Sequence, residues 1–358
     1  MTFPSAVVLL GQDGLFLFLV VAIVFLTVTI FVFAITSLIL RFRNALRRKR
    51  WLRLEEKWEP VFMDVLVEAK PLEALWDLVE TGEELSLLTY LLRYSRLVKG
   101  RERAVVDALA CRYLDHAVPY SLSRMAERRA RAIQMLGDLG IPQFSSPVIA
   151  ALDDPSPLVA MIAASALMAR PSEEFSTAVL ARLDRFTQWR PTYLAALMAA
   201  PGPSAGPRLR EALADRTRSP AVRRVAAIAL TFLNDHLAAA PACVVASEET
   251  DRDLVASSLR LLAHVGHSEH LPVVRARMDS PDEILRGAAA RALGSLGIEE
   301  DRERLHRAAL DDPSKWVALN AARALLNTQG RSLLEALSDS DHSRSPLAVQ
   351  VLTEGGAS

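Results

Sequence analysis

The feature that most constrains the fold is a dipeptide, Ala-Leu or a close relative, that recurs at nearly equal intervals. Its seven copies are Met135-Leu136, Ala166-Leu167, Ala196-Leu197, Ala229-Leu230, Leu261-Leu262, Ala292-Leu293 and Ala324-Leu325. The steps between copies are 31, 30, 33, 32, 31 and 32 residues. A period just above 30 residues accommodates two short helices and two turns, which is the unit of an α-solenoid.

The similarity between copies extends beyond the dipeptide. Asp/Pro/Ser turns precede several of these helices, at 153–156, 279–282 and 311–314, where Asp or Ser can cap a helix and Pro suits its first turn. Glycines at the same register are expected to end the helices: Gly140, Gly266 and Gly297. Three residues before the dipeptide stands a small residue in six of seven copies, which lets neighbouring helices approach closely: Ala132, Ala163, Tyr193, Ala226, Ser258, Ala289 and Ala321.

These residues carry a resemblance to a known family. A D-D-P-S-type turn followed by a helix such as DEILRGAAARALGSLG resembles the short HEAT-like repeat of the phycobilisome-lyase type. The resemblance covers positions 123–353 and implies a solenoid of about seven helical hairpins, with 61–122 as a helical capping region and 354–358 as a tail. Segments 187–205 and 237–250 depart from the pattern, so we expect less regular stacking there.

A run without charged residues, Leu15–Leu40, precedes the repeats. Its 26 residues would form a helix about 39 Å long, enough to cross a hydrocarbon core of about 30 Å. Thr27, Thr29 and Thr36 can bond to their own helix backbone. A cleaved signal peptide fits less well, because the leader 1–14 has no basic residue and no A-x-A-like site follows. We predict an all-α protein: a transmembrane helix at 15–40, then the solenoid.

A basic cluster follows the apolar run and predicts its orientation. It contains no acidic residue and comprises Arg41, Arg43, Arg47, Arg48, Lys49, Arg50 and Arg53. The positive-inside rule then predicts a single-pass protein with segment 1–14 outside, a basic juxtamembrane helix at 41–60 and the repeats in the cytoplasm. That the membrane is a bacterial inner membrane is what the resemblance to bacterial membrane-anchored HEAT proteins implies. Trp51 is expected near the headgroups, or packed on the first soluble helices. The basic cluster either sets topology alone or also contacts anionic lipid.

Arginine recurs at two registers in the second helix of the repeat. Six residues before the dipeptide stand Arg129, Arg190, Arg223 and Arg286. In HEAT-like repeats an arginine near this position commonly bonds an aspartate of a neighbouring turn, so we predict a structural ladder, with ligand contact as the alternative. One residue before the dipeptide stand Arg260, Arg291 and Arg323, which either receive an acidic partner segment or form a solvated stripe.

The segment HVGHSEH holds residue types that also bind metals. His264, His267, Glu269 and His270 lie close in sequence, but Gly266 is expected to end the helix between them, and the order matches no H-E-x-x-H motif. A surface turn between repeats is the favoured interpretation and a metal site the alternative; we expect no cofactor. Cys111 and Cys243 have no metal-site spacing and are predicted to be small, buried or half-buried thiols.

The function predicted from these features is that of a non-enzymatic scaffold at the inner face of a membrane. P-loop, dinucleotide-binding and nucleophile-elbow motifs are absent from the sequence. The partner is expected to be another membrane protein; the layout resembles bacterial membrane-anchored HEAT proteins, some of them accessory to glycosyltransferases of surface polysaccharide synthesis. A bilin lyase-like enzyme is the alternative that the repeat type suggests. A nucleic-acid-binding solenoid ranks last, because from position 54 onward 35 basic residues face 41 acidic ones.

Overall fold

The computed structural model describes residues 12–139, 142–170 and 172–356. These residues form helices, short 3₁₀ turns and loops, and no strand among them was found, so the predicted all-α class is confirmed. Residues 1–11, most of the predicted outer segment, lie outside the described residues, as do Gly140 and the last two residues of the tail. The chain divides into two compact units, Met1–Ala110 and Cys111–Ser358.

The helices are short except for the first. The first unit contains α1 (Gln12–Leu66), α2 (Glu73–Trp76), α3 (Glu84–Ser95) and α4 (Gly100–Cys111, whose last residue begins the second unit). The second unit contains α5 (Val118–Ser121), α6 (Ala126–Asp138), α7 (Ser145–Ala150), α8 (Pro157–Ala169), α9 (Glu173–Leu180), α10 (Pro191–Ala199), α11 (Gly206–Ala214), α12 (Pro220–Leu233), α13 (Ala239–Glu248), α14 (Arg252–Val265), α15 (Leu271–Met278), α16 (Glu283–Leu296), α17 (Asp301–Asp311), α18 (Lys315–Asn327), α19 (Arg331–Ser338) and α20 (Ser345–Gly356).

The N-terminal part of α1 is apolar on every face and uncovered by the rest of the protein. Its large side chains are exposed throughout, Phe25 and Phe33 to 73% each. Thr27, Thr29 and Thr36 donate to the carbonyls four residues earlier at 2.8, 2.8 and 2.7 Å, as the sequence predicted. The hydroxyls are therefore satisfied within the helix. By length and composition this part is long and apolar enough to cross a membrane.

The C-terminal part of the same helix belongs to the packed core of the first unit. Trp58 and Phe62 are fully buried, and both contact the ring of Tyr90 on α3, with centroids 5.9 and 5.4 Å apart. Pro60 lies within α1 and leaves one backbone bond unmade, yet the helix continues to Leu66. The predicted segments 15–40, 41–60 and the beginning of 61–122 therefore share one continuous helix.

Paired helices stack along the second unit. The second helices of the hairpins, α6, α8, α10, α12, α14, α16, α18 and α20, each contact the next one in the series. The predicted leucines lie buried between them in six copies: Leu136, Leu167, Leu230, Leu262, Leu293 and Leu325. Burying such side chains contributes roughly 1.5–3 kcal/mol each, so this row of leucines forms the main part of the hydrophobic core of the solenoid.

The third copy, Ala196-Leu197 on α10, is shifted by one residue. Ala196 is exposed and Leu197 half-buried, whereas Leu194, Ala195 and Met198 are buried. Met198 thus occupies the place assigned to leucine, and the predicted alignment is wrong in this copy. Pro191 fixes the start of α10 and thereby its phase, and α8 contacts α10 much less extensively than other neighbouring second helices contact each other.

The turns between hairpins use aspartate in two ways. Asp282 caps α16 by accepting from the backbone N–H of Ile284 at 2.7 Å. Asp154 and Asp312 stand two residues before the N-cap residue of the next helix. They accept from the N–H of Ser156 and Ser314 at 2.7 and 2.9 Å, and so shape the turn rather than cap the helix.

Gly266 and Gly297 end α14 and α16, as predicted, but without the left-handed backbone typical of a glycine cap. Their φ values are −73° and −62°. Glycine is needed there because a Cβ would collide with the carbonyl oxygens of Leu262 and Leu293.

Candidate partner-binding surface

The basic cluster predicted from the sequence lies on the solvent-exposed surface of α1. All seven cations are exposed, and Trp51 is half-buried on the same helix: Arg41, Arg43, Arg47, Arg48, Lys49, Arg50 and Arg53. No carboxylate among the described residues pairs with them. Their charge is therefore available to groups outside the protein.

Two arginines of the first register make nearly the same set of bonds. Arg129 binds both oxygens of Asp154 at 2.7 and 2.8 Å and donates to the carbonyls of the turn before its own helix. Arg286 binds Asp312 at 2.7 and 3.0 Å and also donates to the turn before its helix. Each guanidinium thus joins the turns on both sides of one repeat, a planar and bidentate use of arginine.

Arg223 makes a related but different contact. It is buried, donates to the carbonyl of Leu213 at 2.9 Å and binds Glu249 at 2.6 Å. The carboxylate again comes from the turn before the next second helix.

The pairing shifts the pKa of the aspartates. The hydrogen bond from Arg129 lowers the pKa of Asp154. Burial alone would raise the pKa of Asp312, but the bonds from Arg286 and from the N–H of Ser314 outweigh burial and lower it. Both carboxylates are consequently charged at neutral pH and neutralise their arginines.

Arg190 lies outside this pattern. It precedes α10 instead of occupying the first turn, its side chain is exposed, and no carboxylate among the described residues pairs with it. The helix begins one turn later here because Pro191 occupies its first position. The prediction that Arg190 would bond an aspartate of a neighbouring turn is therefore wrong.

The second register runs along α14, α16 and α18 and its members differ in their partners. Arg323 binds both oxygens of Glu354 at 3.0 and 3.1 Å. Arg291 donates to the neutral amide oxygen of Asn320 at 3.1 Å. Arg260 has no hydrogen-bond or ion-pair partner in the described part of the chain.

A cavity of about 320 Å³ opens beside the two arginines that lack an acidic partner. Arg260 and Ala256 of α14 form one wall, Ile284, Ala288 and Arg291 of α16 the base, and Trp316 of α18 the other wall. Glu283, exposed in the first turn of α16, lies at the same cavity. The cavity thus combines two guanidinium groups with an apolar lining.

Trp316 packs closely against α16 at Gly287, a residue without a side chain. Its six-membered ring lies against Gly287, where a Cβ would overlap three ring carbons. The indole is nevertheless 42% exposed, so its outer face is available to a ligand. An exposed aromatic side chain beside guanidinium groups suits a partner with both apolar and anionic groups.

The electrostatics of the cavity favour an anion. Partial burial, together with the positive charges of Arg291 and Arg224, lowers the pKa of Arg260 from its usual value, although the group stays protonated. Arg224 is itself bonded to Asp253 at 2.6 Å. An incoming carboxylate would therefore relieve repulsion among guanidinium groups.

A larger cavity between α9 and α11 lacks this property. Its volume is about 580 Å³, and Arg208, the one arginine in its lining, is bonded to Glu173. The surface formed by Arg260, Arg291 and Trp316 is the better candidate for recognition, and we call it the α14–α18 cavity.

Sequence reasoning missed the apolar members of the α14–α18 cavity. The position eight residues before the dipeptide reads Ala221, Asp253, Ile284 and Trp316 in successive repeats, so it becomes large and apolar in the last two of them, where Arg291 and Arg323 follow seven residues later. That change within the repeat was the available signal.

Two of the three histidines of HVGHSEH lie close together, beside Glu269. His267, Glu269 and His270 place one ligand atom each within 4.8 Å of the others. His264 is exposed on α14 and is not part of this group.

Neither cysteine takes part in a disulfide. Cys243 is half-buried as predicted. Cys111 is exposed, so the prediction of a buried or half-buried thiol is wrong for it.

Comparison with known proteins supports the repeat assignment. The family model for HEAT repeats matches residues 239–326. These residues form HEAT repeats. The HEAT segment runs from α13 into α18 and so carries both walls and the base of the α14–α18 cavity. The predicted resemblance is confirmed for it, and a search of curated proteins found no significant match to the chain.

Three solved structures similar to the chain are themselves varied. The complex of CpcE and CpcF of phycocyanin lyase from Nostoc sp. PCC7120 is 19% identical, with 68% of this chain and 87% of that chain covered and a TM-score of 0.31. Kap121p bound to Nup53p is 14% identical, with 78% and 38% covered and a TM-score of 0.44. Human deoxyhypusine hydroxylase is 19% identical, with 78% and 98% covered and a TM-score of 0.32.

Proposed function

We propose that the protein is a membrane-anchored adaptor whose HEAT repeats bind an acidic segment of a partner protein in the cytoplasm. The observation that carries the proposal is Arg260, a cation without a partner among the described residues, beside an apolar cavity. A carboxylate of the partner pairs with Arg260 and Arg291, and a neighbouring apolar side chain packs on Trp316.

The anchor part of the proposal rests on α1. Leaving its uncovered apolar face in water would be costly, at about 25 cal/mol per Å² of apolar surface, and insertion into a bilayer removes that cost. The adjoining basic cluster favours the cytoplasmic side for the repeats and contacts anionic lipid there. Confinement to the bilayer raises the effective concentration of the repeats toward other membrane proteins. A membrane enzyme such as a glycosyltransferase of surface polysaccharide synthesis is the proposed class of partner.

The binding part is tested by cross-linking in native membranes followed by mass spectrometry. We compare the full chain with Arg260→Glu/Arg291→Glu and with Arg307→Glu. Arg307 lies exposed on α17, the first helix of its hairpin, and makes only a 3.9 Å contact with Glu303. Its substitution therefore controls for charge reversal away from the cavity. We expect one membrane protein to be recovered with the wild type and the control and lost with the double variant. Equal recovery from all three refutes the role of the cavity.

The topology is tested separately with the exposed thiol of Cys111. In a Cys243→Ser background, a membrane-impermeant maleimide should leave Cys111 unlabelled in cells with an intact inner membrane and label it after permeabilisation. Labelling without permeabilisation would place the repeats outside, and recovery of the protein from the soluble fraction would remove the anchor from the proposal.

A further inference from the structure

Two histidines and a glutamate meet in the turn between α14 and α15. His267 caps a 3₁₀ turn, Ser268–His270, and the side chain of each histidine accepts from the backbone N–H of the other, which brings the two side chains together. One ligand atom from each of His267, Glu269 and His270 lies within 4.8 Å of the others. The sequence order gave no reason to expect this convergence.

His270 is held in place by contacts with the backbone of His267. It is 6% exposed, and its Nδ1 lies 3.0 Å from the backbone nitrogen and 3.3 Å from the carbonyl oxygen of His267. Nδ1 can therefore accept in one tautomer and donate in the other, while Nε2 stays directed toward the carboxylate of Glu269, 3.8 Å away. Metal binding at Nε2 requires the tautomer in which Nδ1 donates to the carbonyl oxygen of His267, and a donation of this kind orients the imidazole ligands of metal sites.

We propose that this turn binds a zinc ion through His267, Glu269 and His270. Two imidazoles and a carboxylate form a ligand set that zinc uses, and nitrogen donors disfavour calcium and magnesium. Tetrahedral zinc with ligands at about 2.0–2.2 Å needs ligand atoms about 3.4 Å apart. His267 and Glu269 are exposed and can rotate to close the remaining distance, while His270 stays fixed. A water molecule completes the tetrahedron on the solvent side.

The ion would hold the turn that connects α14, the helix that carries Arg260, to α15, because all three ligands lie within that turn. The site is separate from the α14–α18 cavity, since the two share no residue. Zinc binding and partner binding can therefore fail independently.

The test is calorimetric titration of the full-length protein in detergent with ZnCl₂, after treatment with EDTA. We expect one zinc per chain with a Kd of about 10 μM or tighter. His267→Ala and Glu269→Gln, both exposed and outside the core, should each weaken binding at least ~10-fold. His264→Ala removes a histidine of the same segment outside the group and should leave binding unchanged, as should Cys111→Ser/Cys243→Ser. X-ray absorption at the zinc edge should show two imidazole ligands.

Two results would overturn the assignment. One is the absence of binding at ~100 μM ZnCl₂. The other is equal affinity in the wild type, His267→Ala and Glu269→Gln, which would mean adventitious surface zinc only.

Discussion

Arg286 and Arg291 lie five residues apart on the same helix and have different environments. Arg286 is enclosed by Asp312 and two turn carbonyls, whereas Arg291 faces the α14–α18 cavity with one neutral partner. Five residues correspond to a rotation of about 140° around an α-helix, so the two side chains leave α16 on different faces. Both residues are arginines, so the residue type does not distinguish them. The position of each along the helix, relative to the next turn, decides whether it holds repeats together or is available to a partner.

The largest effect is expected when the enclosed arginine loses its partner. Asp312→Ala leaves the partly buried Arg286 without a carboxylate, and we expect the free energy of unfolding to fall by about 2–3 kcal/mol. Arg291→Ala, the matched change on the cavity side, should cost less than about 0.5 kcal/mol. Urea denaturation followed by circular dichroism measures both. Similar losses would erase the distinction between the two registers.

A smaller effect is expected from adding a methyl group at Gly287, against the ring of Trp316. The added methyl group of Gly287→Ala overlaps the indole ring, and its strain should exceed the gain in helix propensity, for a net loss of about 1–2 kcal/mol. Partner capture should fall as well, because the wall of the α14–α18 cavity moves. Gly82→Ala is not a suitable control, since Gly82 has a φ of +90°. Ala288→Gly, next to Gly287, tests the cavity without adding volume and should leave Trp316 in place.

The stabilisation that the paired aspartates contribute depends on pH. Asp154 and Asp312 have lowered pKa values in the folded protein, so between the folded and unfolded values the unfolded chain binds more protons. Their stabilisation is complete above about pH 4 and is lost as the pH falls through the lowered values. The difference in stability between the wild type and Asp312→Ala should therefore be constant from pH 5 to pH 7 and shrink below about pH 4. A difference that grows on acidification would contradict the assignment of Asp312 as the charged partner.

The smallest effect on stability is expected at Arg260. Arg260→Ala removes no bond and relieves repulsion from Arg291 and Arg224, so the free energy of unfolding should change by less than about 0.5 kcal/mol, with stabilisation favoured. A loss above about 1 kcal/mol would indicate a structural role for Arg260 and weaken its assignment to partner binding.

Much of the fold followed from the sequence because the repeat is encoded locally. The leucine row, the small residues and the helix-ending glycines each act within one or two turns of chain, and six of the seven leucines are buried as predicted. The exception on α10 arose from Pro191, which set the phase of a helix that the spacing alone could not distinguish from the others. Repeat period is thus a weaker guide to register than the position of the first helical residue.

The candidate sites were less predictable because they depend on several helices or on turn geometry. The α14–α18 cavity needs side chains from three repeats, and its wall depends on Gly287, whose role appears only when Trp316 is placed against it. The bidentate pair of Arg275 with Asp301, which is 2% exposed, was also missed, since it connects α15 with α17 outside the repeated dipeptide. A contact between repeats cannot be recognised from the local sequence when each partner has the residue type of an ordinary charged surface residue.

The continuity of α1 has a mechanical consequence. At about 1.5 Å per residue its 55 residues form a rod about 80 Å long, with the apolar stretch at one end and buried Trp58 and Phe62 at the other. A rotation of the apolar end about its axis is therefore transmitted to the core of the first unit without an intervening hinge loop. Inserting two residues after Arg43 would turn that core by about 200° relative to the apolar end, whereas seven residues, close to two full turns, would nearly restore the angle. In the proposed anchored state, the apolar stretch therefore fixes the orientation of the first unit as well as its location.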